Sequence, residues 1–284
     1  MAANSNFKSK LRVCTVQAAP QFNTHYLFDS SYIENGDSAI DEFLKRLQSI
    51  NKLAPPPNSF DPLQGQLILL GVIAAVESYL RTLFRRLITV DSVCREAVYS
   101  SDVSFGAAIH LSKEMLPEAI LERVSFIGRD SIKSAIKDFV AIKGHLPSDV
   151  DAAISDYVKI CQLRHCAVHR FGKLGASNAI SLGLSDHKEL IEKPLRLDYV
   201  ALQGAISIST ALVKTLNNFI FNEVVSRIPP TSWKGLYRSD KRLFGQYYSI
   251  FADSISSVGA AVDIKALYTE FKAQRSKFSA NQPY

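Results

Sequence analysis

From Pro62 onward the chain carries its apolar residues at helical intervals. In QGQLILLGVIAAVESYLRTLFRRLITV, Leu69, Ile73, Val76, Leu80, Leu83 and Leu87 recur at steps of three and four, which gathers them on one face of an α-helix. This pattern predicts a long core helix. DYVALQGAISISTALVKTLNNFIFNEVVSRI predicts a second, ended by Pro229 and Pro230. Between them, shorter helices are expected around 91–99 and 116–126 and at RDSIKSAIKDFVAI. Another is expected over PSDVDAAISDYVKICQLRHCAVH, whose proline, serine and aspartate stand where a helix start favours them. An amphipathic helix is expected from Ser38 to Asn51, after a short extended piece at LRVCTVQ, and residues 171–196 read as a loop with at most a short strand at AISLGL. No repeat or series of alternating strands interrupts this pattern. The expectation is an all-α protein, mainly a helical bundle, with N- and C-terminal additions and at most short strands.

The stretch LAPPPNSFDP stops the first helix, because consecutive prolines neither donate a backbone hydrogen bond nor hold helical geometry. It sets expected divisions at 1–61 (N-terminal extension), 62–228 (helical domain) and 229–284 (basic helical C-terminal extension). With 284 residues, 47% of them apolar and 21% charged, the chain is long and apolar enough for a conventional core without staples. The start lacks the apolar run of a signal peptide, and LILLGVIAAV is too short to span a bilayer, so a cytoplasmic protein with no membrane partner is expected. Cys14, Cys94, Cys161 and Cys166 form no CxxC and no disulfide framework, which suits a reducing compartment.

The net charge of +6 is unevenly placed: Arg227 to Lys277 holds nine Lys and Arg against four Asp and Glu. Trp233, Tyr237, Tyr247 and Tyr248 are interleaved with them. Positive charge beside stackable rings suits single-stranded nucleic acid, and a solvated helical face with its rings packed inward explains the same pattern.

Chemistry concentrates in RHCAVHRFG, residues 164–172. Three readings compete. Cys161, His165 and His169 fall at four-residue steps and form one helical row of zinc-ligand types, but one row does not close a tetrahedron, and neither CxxC nor the glutamate of HExxH is present. Alternatively, His and Cys simply suit a helix C-terminus, and Arg164 is an ordinary ion-pair partner. In the third reading Arg164 continues the apolar row Tyr157, Ile160 and Cys161, so a permanent cation projects from the buried side of its helix and needs an anion. Glu77 interrupts an apolar face of the first core helix and needs a partner too. A pair of Glu77 with Arg164 or a histidine would satisfy both and orient the basic group beside an imidazole; pairing of Glu77 with Arg81 at the edge of the face is the plain alternative.

These residues resemble the HEPN domains, helical proteins that include many ribonuclease toxins and defence effectors. Their signature is Arg, four to six residues, then His, often with a polar residue straight after the Arg; Arg164, His165 and His169 match it, and Glu77 in VESYLR stands where an accompanying acidic or polar residue is common. The resemblance covers about residues 62–226. One subgroup carries a Tyr two residues after the His; Phe171 stands there in this chain, so regulation by modification of that Tyr is not expected.

The resemblance implies metal-independent RNA cleavage with no cofactor. The 2′-hydroxyl attacks its neighbouring phosphate, His169 moves the proton and Arg164 stabilises the phosphate oxygens. It also implies a homodimer with a composite site, since residues five apart on a helix diverge by about 140 degrees. His165 would orient substrate, Arg170 and Lys173 would hold flanking phosphates, and an antitoxin or regulatory protein is an expected partner. The expected function is therefore a HEPN-type endoribonuclease acting as a toxin or antiviral effector on RNA. The rivals are a noncatalytic helical module binding RNA or protein through the basic C-terminal segment, and a zinc-stabilised regulatory protein.

Overall fold

The computed structural model describes residues 11–256 and 262–280, and the chain divides into two compact units after Gly36. In the first unit, residues 11–36 hold one 3-10 turn, Thr24–Leu27, and leave Leu11, Val13, Phe22, Phe28 and Ile33 exposed. LRVCTVQ, expected to be extended, forms no regular element.

The second unit begins at Asp37 and is built from helices alone. α1 (Ala39–Asn51) starts at Ser38, whose hydroxyl accepts from Asp41 N at 3.1 Å. α2 (Pro62–Val90) starts with a reciprocal cap: Asp61 accepts from Leu63 N, and the side chain of Gln64 accepts from Asp61 N. The following helices are α3 (Ser92–Ala97), α4 (Phe105–His110), α5 (Leu116–Leu121), α6 (Arg129–Val140), α7 (Ser148–Arg170), α8 (Ala176–His187), α9 (Tyr199–Ser226), α10 (Tyr237–Phe251) and α11 (Ile264–Ala280). The described residues are thus all-α, with one isolated bridge, Lys173 to Pro194.

α2 is the axis of this unit. It packs against α1, α3, α5, α6, α7, α9 and α10. The six residues of its predicted face, Leu69 through Leu87, are at most 1% exposed. α2 and α9 are each long and apolar enough to cross a bilayer by length and hydropathy alone, and in this fold they pack against one another. A polar thread crosses the core: Tyr79 of α2 donates to Asn217 of α9, which donates to the carbonyl of Phe251 at the end of α10.

Two further expectations differ from the structure. α1, grouped with residues 1–61 by the proline-rich stretch, lays Ile40, Phe43, Leu44 and Leu47 into the core against α2, so the compact unit starts at Asp37 rather than Pro62. The prolines turn the chain between two packed helices without separating them. AISLGL, expected as loop or strand, lies in α8, where Gly183 at φ 108° breaks the helical geometry near the end. Only Asn178 and Ala179 of α8 are buried, so it carries almost no apolar stripe to betray it.

Asp91 joins four elements. It ends α2, caps α3 by accepting from Cys94 N at 2.8 Å, pairs with Arg227 at the end of α9 and accepts from Tyr247 of α10 at 2.9 Å. Arg227 also donates to the carbonyl of Val140 and to Cys94 Sγ. Asp91→Ala should therefore cost about 3–5 kcal/mol in urea unfolding, because it leaves a largely buried guanidinium unpaired. Tyr247→Phe, which removes one hydrogen bond, should cost only about 1 kcal/mol.

Candidate functional site

α7 starts with Asp149 and Asp151 at the positive end of its dipole, and Asp151 takes Arg129 and Lys133 of α6 at 2.6 and 2.8 Å. One face, Val150, Ile154, Tyr157, Ile160 and Cys161, is buried. Arg164 is the next residue on that row and is half-buried. His165 and His169 lie one turn apart on the exposed side, with ring centroids 4.6 Å apart and the planes edge to face. The last turns of α7 thus carry a guanidinium at the edge of the core and two touching imidazoles in solvent.

The helix ends on two successive left-handed residues, Phe171 at φ 49° and Gly172 at φ 87°, and Gly172 N donates to the carbonyl of Cys166 at 3.0 Å. Gly172 is required twice over: besides its backbone angle, a Cβ there would meet Oε1 of Gln66 at 2.7 Å. Gln66 belongs to α2 and donates to the carbonyl of Leu195, while Leu195 N donates to that of Gly172. The chain after the motif is in this way held against the central helix, with α8 as an excursion between residues 174 and 192.

Glu77 on α2 and Arg164 on α7 both act on the buried pair Tyr157 and Cys161. Burial pushes the Cys161 thiol up to about 12; the negative charge of Glu77 adds to this, while Tyr157 and Arg164 partly offset it. Burial also raises the Tyr157 phenol well above its ordinary value, with Cys161 and Glu77 adding and Arg164 opposing. The Tyr157 hydroxyl is buried beside the Cys161 thiol and has no well-formed hydrogen bond among the described residues. Glu77 and Arg164 therefore share a neighbourhood, but they form no ion pair within 4 Å among the described residues. The alternative pairing of Glu77 with Arg81 is not made among the described residues either. Arg81 instead donates to the carbonyls of Leu121 and Val124 and lies 3.8 Å from Glu118.

The remaining candidates separate. Arg170 is ion-paired with Glu192, so its guanidinium is already engaged, whereas Lys173 is exposed and forms no ion pair among the described residues. The zinc row does not converge: Cys161 is buried and both histidines are exposed, and no group of three His, Cys, Asp or Glu among the described residues is arranged to hold a metal. Zinc would need all three donors to face one point, and each four-residue step along the row turns by about 40°, which carries it from the buried Cys161 to the exposed histidines.

Sequence reasoning missed two features. The orphaned Tyr157 hydroxyl was counted as part of an apolar row. Next to the histidines on α7, Val168 and Phe171 are 45% and 81% exposed, and on α8 Ile180 and Leu184 are 64% and 46% exposed, an apolar surface whose α8 part stayed hidden while α8 read as a loop. The i, i+4 spacing of Ile180 and Leu184 is its only trace in the sequence.

Burial of three of the four cysteines gives a direct check. In the folded protein at pH 8 a thiol reagent should modify Cys14 alone, whereas denaturant should expose all four thiols. Rapid modification of Cys161 in the folded protein would contradict its placement beside Tyr157. No protein-family model, no curated protein and no solved structure matches the chain.

Proposed function

We propose that the chain is a metal-independent endoribonuclease of HEPN type, active as a homodimer and acting as a toxin or antiviral effector. The observation that carries this reading is the end of α7: a half-buried arginine on the core side and two imidazoles in contact on the surface, bordered by exposed apolar side chains. In RNA cleavage His169 takes the proton of a 2′-hydroxyl, whose oxygen attacks the adjacent phosphorus. The bond to the 5′-oxygen breaks, and that oxygen leaves with a proton from a second imidazole. The products are a 2′,3′-cyclic phosphate and a 5′-hydroxyl end. A guanidinium opposite the phosphate oxygens stabilises the charge that develops there. DNA, without a 2′-hydroxyl, is not cut by this route.

The homodimer supplies what one chain lacks. Arg164 and His169 diverge along one helix, and a twofold axis through the border of Val168, Phe171, Ile180 and Leu184 brings the arginine of one copy toward the imidazole of the other. Glu77 acts behind Arg164 as a positioning residue, through the shared Tyr157 and Cys161 neighbourhood. The second reading, a noncatalytic module, is favoured by one observation: Arg164 is half-buried on the core side of α7 while His169 is exposed.

His169→Ala should lower cleavage of total RNA or transfer RNA, in the presence of chelator, by about 100-fold or more, with mapped wild-type ends of the cyclic-phosphate type. Equal cleavage by both proteins would reject the reaction centre, and no cleavage by either would leave the noncatalytic reading. Phe171→Asp should shift the mass in light scattering from two chains to one and lower cleavage in parallel.

A further inference from the structure

Between Pro229 and Lys277 the acids and the cations differ in what they engage. Each acid accepts hydrogen bonds within the protein, Asp240 from a buried position and Asp263 and Glu270 from exposed ones. Asp240, 2% exposed, accepts from Tyr268 at 2.6 Å and from the backbone N–H groups of Lys234 and Gly235 at 2.8 and 2.9 Å. Asp253 accepts from the backbone of Ile255 and Ser256, Asp263 caps α11, and Glu270 accepts from Gln274. The cations show the opposite pattern. Of the nine Lys and Arg in Arg227 to Lys277, Arg227 is paired with Asp91, and the others form no ion pair among the described residues.

The rings of the segment do not share that surface. Tyr247 is buried against Asp91, and Trp233 packs on Phe271 at 5.0 Å and on Phe244 at 6.3 Å. The inward packing of the aromatics and the outward display of the cations are therefore both present, and they meet at one place.

That place is a cavity of about 430 Å³ between the turn after α9 and α11. Lys234 stands on one wall and Lys272 and Arg275 on the other, with Pro230 and Trp233 between them. The Arg275 guanidinium lies 6.0 Å from the centre of the Trp233 ring, and the indole N–H has no acceptor among the described residues.

Asp240 holds the two walls in register. Its carboxylate fixes the turn through Lys234 N and Gly235 N, and it fixes α11 through Tyr268. Hydrogen bonds from Tyr268 and from the two amides outweigh burial and keep its carboxyl below the usual range. Gly235, at φ 77°, supplies the left-handed backbone that the turn needs. The cavity is thus built in advance. Three like charges on its rim repel one another and focus a positive potential into a concave, low-dielectric space, and an anion relieves that repulsion.

We propose that this cavity is a phosphate-backbone subsite for single-stranded RNA, in which Lys234, Lys272 and Arg275 hold a phosphate while the attached nucleoside lies against Pro230 and Trp233. The inference rests on the reading of the chain as an RNA-acting protein and gives the C-terminal helices the task of substrate capture. It does not depend on cleavage at α7. A cavity of about 430 Å³ is of the size of one nucleotide unit, and cations with one partly covered ring give strand binding with little preference for base.

The test uses the full chain carrying His169→Ala, so that RNA is not consumed, and a fluorescein-labelled oligouridylate read by anisotropy over a range of KCl concentrations. Adding Lys234→Ala, Lys272→Ala and Arg275→Ala together should weaken binding at low salt by 10-fold or more. The slope of log affinity against log salt should fall by about 0.7, since the subsite takes one phosphate and each phosphate neutralised in a single strand contributes about that much. Lys272→Glu alone, on an exposed position of α11, should weaken binding with an unchanged melting temperature, which separates loss of charge from loss of fold. Unchanged affinity and slope in both variants would overturn the subsite. So would binding of phosphatidylserine vesicles, lost in the triple variant, without binding of the oligouridylate. Failure here leaves the endoribonuclease reading as it stands, because cleavage is measured with His169 intact and binding is measured without it.

Discussion

A carboxylate buried in a protein interior must be surrounded by donors or lose its charge, and Asp91, at the end of α2, draws its donors from three other elements. Because it both stops α2 and starts α3, the direction change between them is fixed where the end of α9 arrives with Arg227 and α10 passes with Tyr247. The long helices α2 and α9 would pack by apolar area alone in several registers. A charge that accepts only one arrangement of partners selects among them. Asp240 repeats the device on a smaller scale for α10, α11 and the turn that precedes them.

With that frame set, the end of α7 is positioned by contacts that carry no chemistry of their own. Gln66 and Gly172 bring the chain after the motif against α2, which leaves the last turns of α7 standing at the rim of the core. The helix there has two sides with different environments one residue apart. Arg164 acts on the buried Tyr157 and Cys161, as Glu77 does from α2, while His165 is exposed with its ring against His169. A cation held at the edge of a low-dielectric region and a hydrated imidazole are different reagents, although five positions separate them in sequence.

The long helices were legible because burial follows a period: every residue of the predicted stripe of α2 is buried in the core. α8 was not legible, since a helix that buries only Asn178 and Ala179 has no stripe, and the glycines at 172, 175 and 183 read as loop. Asp91 escaped notice for a different reason. One aspartate at a helix junction looks like any cap, and its partners at 227 and 247 are brought to it only by the fold. At the site, the half-burial of Arg164 could be read from its row, but the failure of Glu77 and Arg164 to form a contact pair depends on the separation of two helices, which no periodicity encodes. The C-terminal segment offered two opposed readings, and both describe part of it: rings inside, cations outside.

Phe171 shows where stability and display pull in opposite directions. A left-handed helix terminus is normally given to glycine or asparagine, because a β-carbon there costs about 1 kcal/mol or more. This chain instead holds a phenylalanine in that conformation and leaves its ring 81% exposed. The conformation also narrows the directions in which the ring can point, so an aromatic surface is presented in one orientation instead of being swept through many. A glycine at 171 would make a more comfortable helix end and a poorer contact, which makes this position one where a gain in thermal stability is the expected sign of a lost interaction.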